Sequence, residues 1–288
     1  MSIIKEISKY FSLVKFAHTI FALPFAFIGF TLAICEPGSN FTWVIFVQIL
    51  CCMVFARNSA MGFNRYADRV IDAMNPRTSK REIPSGRLSP KSVKIFTIVN
   101  IILFLASAYS INLLCFLLAF PALVVVLGYS YLKRFSYICH YVLGLSLSIA
   151  PIGAFVAVTG YFSTPALILS GIVFLWSSGF DILYSLPDEE IDKKQNLHSI
   201  PGRFGRIAAM RISIFTHALI IPLLVWYFFA SGAGFLFIIG SVFFVGLLVY
   251  QHLIISPKDL RRLNSAFFTS NGIASLIFAV FAILDKVC

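Results

Sequence analysis

Nine apolar runs set the limits on this chain. They fall near 15–34, 43–64, 93–110, 112–131, 137–159, 163–184, 207–230, 233–254 and 266–284, each close to the ~20 residues a helix needs to cross a bilayer. In hydrocarbon every backbone N–H and C=O must be satisfied within the protein, so only helices and closed barrels span it. Nothing in these runs reads as strand. The expected fold is therefore all-α: a polytopic membrane bundle of about nine transmembrane helices in one domain, 1–288. Charged residues make up 12% of the chain, against roughly 25% in soluble domains. The third and fourth runs part only at Ser110-Ile111-Asn112, which predicts a tight turn.

The net charge of +11 raises nucleic acid as a partner, but the placement of the basic residues argues against it. Of the 23 Lys and Arg residues, all but Arg57 and Lys286 lie at the N-terminus or in alternate loops, and the intervening loops hold none. That asymmetry is the mark of cytoplasmic loops. It predicts a cytoplasmic N-terminus, a C-terminus on the other side, and no nucleic-acid face. Lys5, Lys9 and Lys15 before the first run mimic a signal peptide. The run's length and the lack of a small-residue cleavage site predict a retained helix instead. The six cysteines show no C-x-x-C or Cys/His spacing, so neither a disulfide framework nor a zinc site is expected.

Only twelve residues are acidic, and five of them are Asp68, Asp72, Asp181, Asp188 and Asp192. On a helix, Arg57, Met61, Asn64, Asp68 and Asp72 share one face. Two carboxylates one turn apart repel unless a cation lies between them. The pattern returns 120 residues later, as Tyr184, Asp188 and Asp192 at the end of another apolar run. Paired carboxylates amid basic residues suit a divalent metal that grips a diphosphate; magnesium takes oxygen ligands from a few carboxylates plus substrate phosphates. The plainer reading is a solvated helix end. Pro187 removes a helical hydrogen bond and predicts a kink in the second motif. Glu189 and Glu190 read as solvated.

Asn64-x-x-x-Asp68-x-x-x-Asp72 with Asn75-Pro76-Arg77-Thr78, followed by Asp181-x-x-Tyr184-x-x-x-Asp188-x-x-x-Asp192, resembles the two signature motifs of the UbiA-type membrane prenyltransferases. The resemblance covers essentially the whole chain. It implies a Mg2+-dependent enzyme that moves a polyprenyl chain from its diphosphate to an aromatic acceptor. Asp68, Asp72, Asp188 and Asp192 would be its catalytic metal ligands, joined by Asn64. It further implies that Arg77 and Arg81, and Lys133 and Arg134 within Tyr129-x-x-x-Lys133-Arg134, hold the diphosphate; positive-inside topology alone is the bland alternative.

Asp181 and Tyr184 lie deeper on the second face, either as substrate contacts or as packing. Buried Asp181 must be paired or protonated. Arg57, deeper still, would pair with Asp181 or meet an acceptor carboxylate, or serve a structural ion pair. The opening Lys15-Phe-Ala-His18-Thr19 with Pro24 resembles a bacterial branch of quinone biosynthesis. There the acceptor is 4-hydroxybenzoate or a hydroxynaphthoate, for ubiquinone or menaquinone, and the site is the bacterial inner membrane with its active-site loops cytoplasmic. His18 would touch the acceptor or simply pack. Branches with haem, chlorophyll or tocopherol-type acceptors share the metal motifs.

The two motifs are four helices apart, an even offset. The halves then run parallel, as two four-helix units plus one helix, rather than as the inverted repeats common in secondary transporters. A transporter with an intramembrane carboxylate relay is the competing reading. Acceptor identity, chain length and oligomeric state stay open.

Overall fold

The structure, a computed structural model, describes residues 3–14 and 21–288; His18 lies outside them. The chain is an all-helical bundle, with no strand among the described residues and only an isolated bridge between Ser256 and Asp259. In order, the helices are α1 (Ile3–Val14), α2 (Leu23–Ile34), α3 (Trp43–Ala67), α4 (Arg69–Met74), α5 (Pro90–Ile111), α6 (Leu113–Leu132), α7 (Cys139–Thr159) and α8 (Thr164–Tyr184). There follow α9 (Glu189–Lys194), α10 (Ile200–Ala218), α11 (Ile220–Ser231), α12 (Phe235–Ile254) and α13 (Asn271–Val287).

Eight helical segments are long and apolar enough to cross a membrane, with α10 and α11 counted as one. They match the last eight runs. The first run is represented by the 12-residue α2, which begins beyond the undescribed stretch. The protein is thus an integral, multi-pass membrane protein.

Local sequence explains where the helices begin. Ser89, Ser163 and Ser199 accept hydrogen bonds from Ser92 N, Ala166 N and Gly202 N, and each is followed within two residues by proline. Serine at the cap and proline in the first turn are favoured because those N–H groups have no helical partner. The expected turn between α5 and α6 is one extended residue, Asn112, whose Oδ1 accepts from Cys115 N at 2.7 Å.

The centre of the bundle is α8. Its most apolar window is 67% buried, against 11–39% for the other spans. Its Trp176 packs among Phe25, Phe244 and Phe180 and donates from Nε1 to Asn271 Oδ1 at 3.0 Å. α2 lies against α7 so closely that a methyl group on Gly29 would collide with the Pro151 carbonyl. Such contacts through small residues drive helix association in lipid.

The N-terminal segment departs from expectation. Its lysines read as a basic flank, yet Ile3–Val14 forms a separate amphipathic helix. Leu13 packs with Ile83, Leu88 and Val93.

Candidate active site

The first motif spans two helices. α3 ends at Ala67, Asp68 has φ −90° and ψ 6°, and α4 starts at Arg69. Hydrogen bonds still run from Asp68 N to Asn64 O (2.9 Å) and from Asp72 N to Asp68 O (2.7 Å). The shared face therefore survives the break. In the second motif the kink expected at Pro187 is a short 3-10 turn, Leu186–Asp188, between α8 and α9. Asp72, Asp188 and Asp192 are all buried.

Each of the four aspartates meets one basic side chain. Arg134 reaches Asp68 (3.0 Å), Arg81 reaches Asp72 (2.7 Å), Lys133 reaches Asp192 (2.7 Å), and Arg77 closes on Asp188. The Arg77 contact is two-pronged, with Nε at 3.0 Å from Oδ1 and Nη2 against Oδ2. Two of these pairs cross between the halves. Arg77 follows the first motif yet holds the second, while Lys133 and Arg134, adjacent at the end of α6, hold one motif each. Asn75 adds a bond from Nδ2 to Asp188 Oδ1 at 3.2 Å and accepts the Arg77 N–H on its own Oδ1 at 2.9 Å. Among the described residues, no three His, Cys, Asp or Glu side chains converge as a ready metal cage.

The electrostatics follow this pairing. Burial holds the Asp68 carboxyl above its ordinary range, with Asp72 adding to the shift and Arg134 opposing it. For Lys133, burial alone lowers the pKa, but the Asp192 carboxylate outweighs it and the ammonium is held above its ordinary value. The same balance, with Asp188 as the partner, raises Arg77.

The remaining predicted residues lie around this cradle. Asn64 donates to Asp68 Oδ2 at 2.9 Å and takes Arg65 Nη1 on its Oδ1 at 3.4 Å. Tyr184 lies beneath the Arg77 guanidinium, 5.0 Å from ring centroid to Cζ, and stacks on Phe267. Arg57 and Tyr129 line an apolar cavity of about 470 Å3 walled by α3, α5, α6 and α7. Met61, one turn from Asn64 and Arg65, lines the same cavity, so the cavity wall comes within one helical turn of the first motif.

Two expectations need correction. The partner of Asp181 is His140, with Nδ1 and Oδ2 2.7 Å apart, rather than Arg57. Glu189 is not simply solvated: it accepts a hydrogen bond from Lys193 at 2.6 Å and forms an ion pair with Arg206 at 3.1 Å. The sequence pattern gave His140 no role, and it placed Asn75 in the first motif without naming Asp188 as its partner. A lone histidine inside an apolar run was the available signal for His140.

Comparison with known proteins agrees with this geometry. The profile of the UbiA prenyltransferase family matches residues 22–272. The chain belongs to that family. It is an intramembrane polyprenyltransferase, which sets aside the transporter reading. Relatives include the 4-hydroxybenzoate octaprenyltransferases of Aliivibrio fischeri, strain MJ11 (28% identical over 236 residues, 82% of either chain) and Chromohalobacter salexigens (28% over 248 residues, 86% of this chain and 81% of the relative). Among solved structures, a UbiA homologue from Aeropyrum pernix K1 in its apo form superposes with a TM-score of 0.83 at 28% identity, covering 94% of this chain and 98% of that one. The UbiA homologue of Archaeoglobus fulgidus bound to DMAPP and Mg2+ superposes with a TM-score of 0.74 over 96% of this chain and 99% of that one; at 22% identity it speaks for the fold alone.

Proposed function

We propose that this UbiA-family enzyme transfers a polyprenyl chain from its diphosphate to 4-hydroxybenzoate, using Mg2+, at the cytoplasmic face of a bacterial inner membrane. The observation that carries the reading is the pair of aspartate motifs, cross-linked through Arg77 and Lys133, the first of them on a helix whose preceding turn, at Met61, lines an apolar cavity. The octaprenyltransferase relatives support the acceptor and a long donor. The one-sided basic loops support the orientation.

The donor set fits magnesium. Four carboxylates and an amide offer the hard oxygens it prefers, and Asp192 Oδ2 is buried with no hydrogen-bond partner. Asp68, Asp72, Asp188 and Asp192 would hold the metal, with Asn64 beside Asp68. Magnesium, when bound, neutralises charge on the diphosphate.

The protein's own groups do the rest. Arg77, Arg81, Lys133 and Arg134 turn from the carboxylates to the phosphate oxygens, where arginine's planar fork is matched to the anion. They stabilise charge where it builds up as the allylic C–O bond breaks and its electron pair leaves with the diphosphate. Stabilisation of that kind commonly contributes more to catalysis than any other effect. The cavity walls keep water from the allylic cation, and the ring face of Tyr129 stabilises positive charge. Arg57, at the same end of the cavity, binds the acceptor carboxylate. Ring attack forms the C–C bond, and a proton leaves.

Membranes bearing the protein, given a polyprenyl diphosphate, Mg2+ and either 4-hydroxybenzoate or a hydroxynaphthoate, test this directly. Prenylated 4-hydroxybenzoate that disappears with chelator is the expected result. Transfer to the naphthoate alone overturns the acceptor, and transfer without metal overturns the magnesium reading.

A further inference from the structure

His140 is buried, at 3% exposure, in the first turn of α7. It bridges three helices. Its Nδ1 lies 2.7 Å from Asp181 Oδ2 on α8, and its Nε2 lies 3.3 Å from the backbone N of Ile200, the first residue of α10. The second contact fixes the chemistry of the first. A backbone amide can only donate, so Nε2 must present its lone pair, and the ring proton sits on Nδ1. The first N–H groups of a helix lack an intrahelical acceptor, and among the described residues the partner of the Ile200 N–H is His140. The Ser199 hydroxyl that caps this helix is already engaged with Gly202 N. Nδ1–H therefore donates to Asp181, and a donor this close favours the carboxylate over the neutral acid.

That carboxylate is not sealed away. Phe180, Ile182 and Leu183 beside it are at most 4% exposed, yet the Asp181 side chain keeps 22% of its surface open. It stands one turn before Tyr184, on the helical face that leads through Tyr184 and the Arg77 guanidinium to Asp188. Oδ2 is committed to His140, and Oδ1 makes no hydrogen bond to the described residues.

We infer that His140 is a positioning residue that holds Asp181 ionised, and that Asp181 is the base that takes the ring proton after prenyl transfer. The role rests on the function proposed above. As the new C–C bond forms, the ring carbon carries both the prenyl group and its original hydrogen. The C–H bond breaks, its electron pair restores the aromatic ring, and the proton passes to Asp181 Oδ1 and then to water. His140 donates throughout and gains no proton itself, because its second nitrogen is committed to Ile200.

Infrared difference spectra of the full-length protein read the ionisation directly, with Asp181→Asn used to assign the band. Wild type should show an Asp181 carboxylate, His140→Leu a protonated carboxyl, and His140→Gln a carboxylate again. The glutamine amide can accept from Ile200 N–H and donate to Asp181, so rescue by Gln also excludes proton transfer through the imidazole. In the transfer assay Asp181→Asn should lose about 10²-fold in kcat, the lower end of a general base's contribution, with KM for the diphosphate unchanged. His140→Leu should reveal a primary isotope effect with acceptor deuterated at the reacting carbon, and His140→Gln should abolish it.

A protonated Asp181 in wild type overturns the inference, as does an Asp181 still ionised in His140→Leu. Should His140→Leu not fold, the wild-type band and the His140→Gln kinetics decide it. If wild type prenylates no aromatic acid, the proposed function fails and the proton-acceptor role falls with it, while the infrared arm still reads the His140 hold on Asp181.

Discussion

Arg77 follows one aspartate motif and closes on the other, and its shape matters as much as its charge. Two guanidinium nitrogens reach Asp188 while the plane lies over Tyr184. A lysine there keeps the charge but loses the fork and the stacking. Arg77→Lys should lower kcat/KM by about 10- to 100-fold, from the ~1.5–3 kcal/mol of a hydrogen bond to a charged group. Steady-state kinetics with varied diphosphate measure it, and an unchanged value would remove Arg77 from the site. At this scale the sequence was informative where residues repeat. Asn64, Asp68 and Asp72 share a face with or without the break at Asp68, because helical spacing continues through it. It was silent where one residue acts through another. His140 fixes Asp181 from a segment distant in the chain, so that role has no local pattern.

The helices themselves were legible because bilayer crossing imposes both length and composition. Serine caps with a following proline marked several starts. α1 was not legible, since its burial depends on residues some seventy positions away. Ser12 donates to Glu82 Oε1 at 2.6 Å, Arg87 approaches the same oxygen at 3.4 Å, and Arg65 lies 3.9 Å from Oε2. Burial pushes the Glu82 carboxyl up, but the Ser12 hydroxyl, a backbone N–H and the two arginines outweigh it and hold it below its ordinary value of 4.5. A depressed carboxyl stabilises the fold above its unfolded pKa and loses that contribution as pH falls through its folded one. Protection of the α1 amides, relative to the unstructured exchange rate at the same pH, should therefore be high at pH 6 and fall at acid pH below about 4.5. In Glu82→Gln protection should be low at both, and an α1 equally protected in the variant would contradict the anchor.

Across the whole molecule, the proposed reaction divides the work between a charged cradle and an apolar cavity. The cavity is lined at depth by Ala108, Ala119, Ala154 and Ala157, small residues that leave room for a hydrocarbon tail. Ala119→Phe should narrow it, so that transfer from a long polyprenyl donor falls while a five- or ten-carbon donor is spared. Competition between the two donors in one assay measures this, and equal losses would place the tail elsewhere.

The central claim is that aspartates from two separate halves of the bundle close on one metal–diphosphate. Diffraction at the manganese edge, from protein crystallised with Mn2+ and a non-cleavable prenyl thiolodiphosphate, tests it most directly. The account predicts anomalous density between Asp68 and Asp72 on one side and Asp188 and Asp192 on the other, lost in Asp68→Asn combined with Asp188→Asn. Metal bound at one motif only, or a diphosphate held away from both, would contradict it.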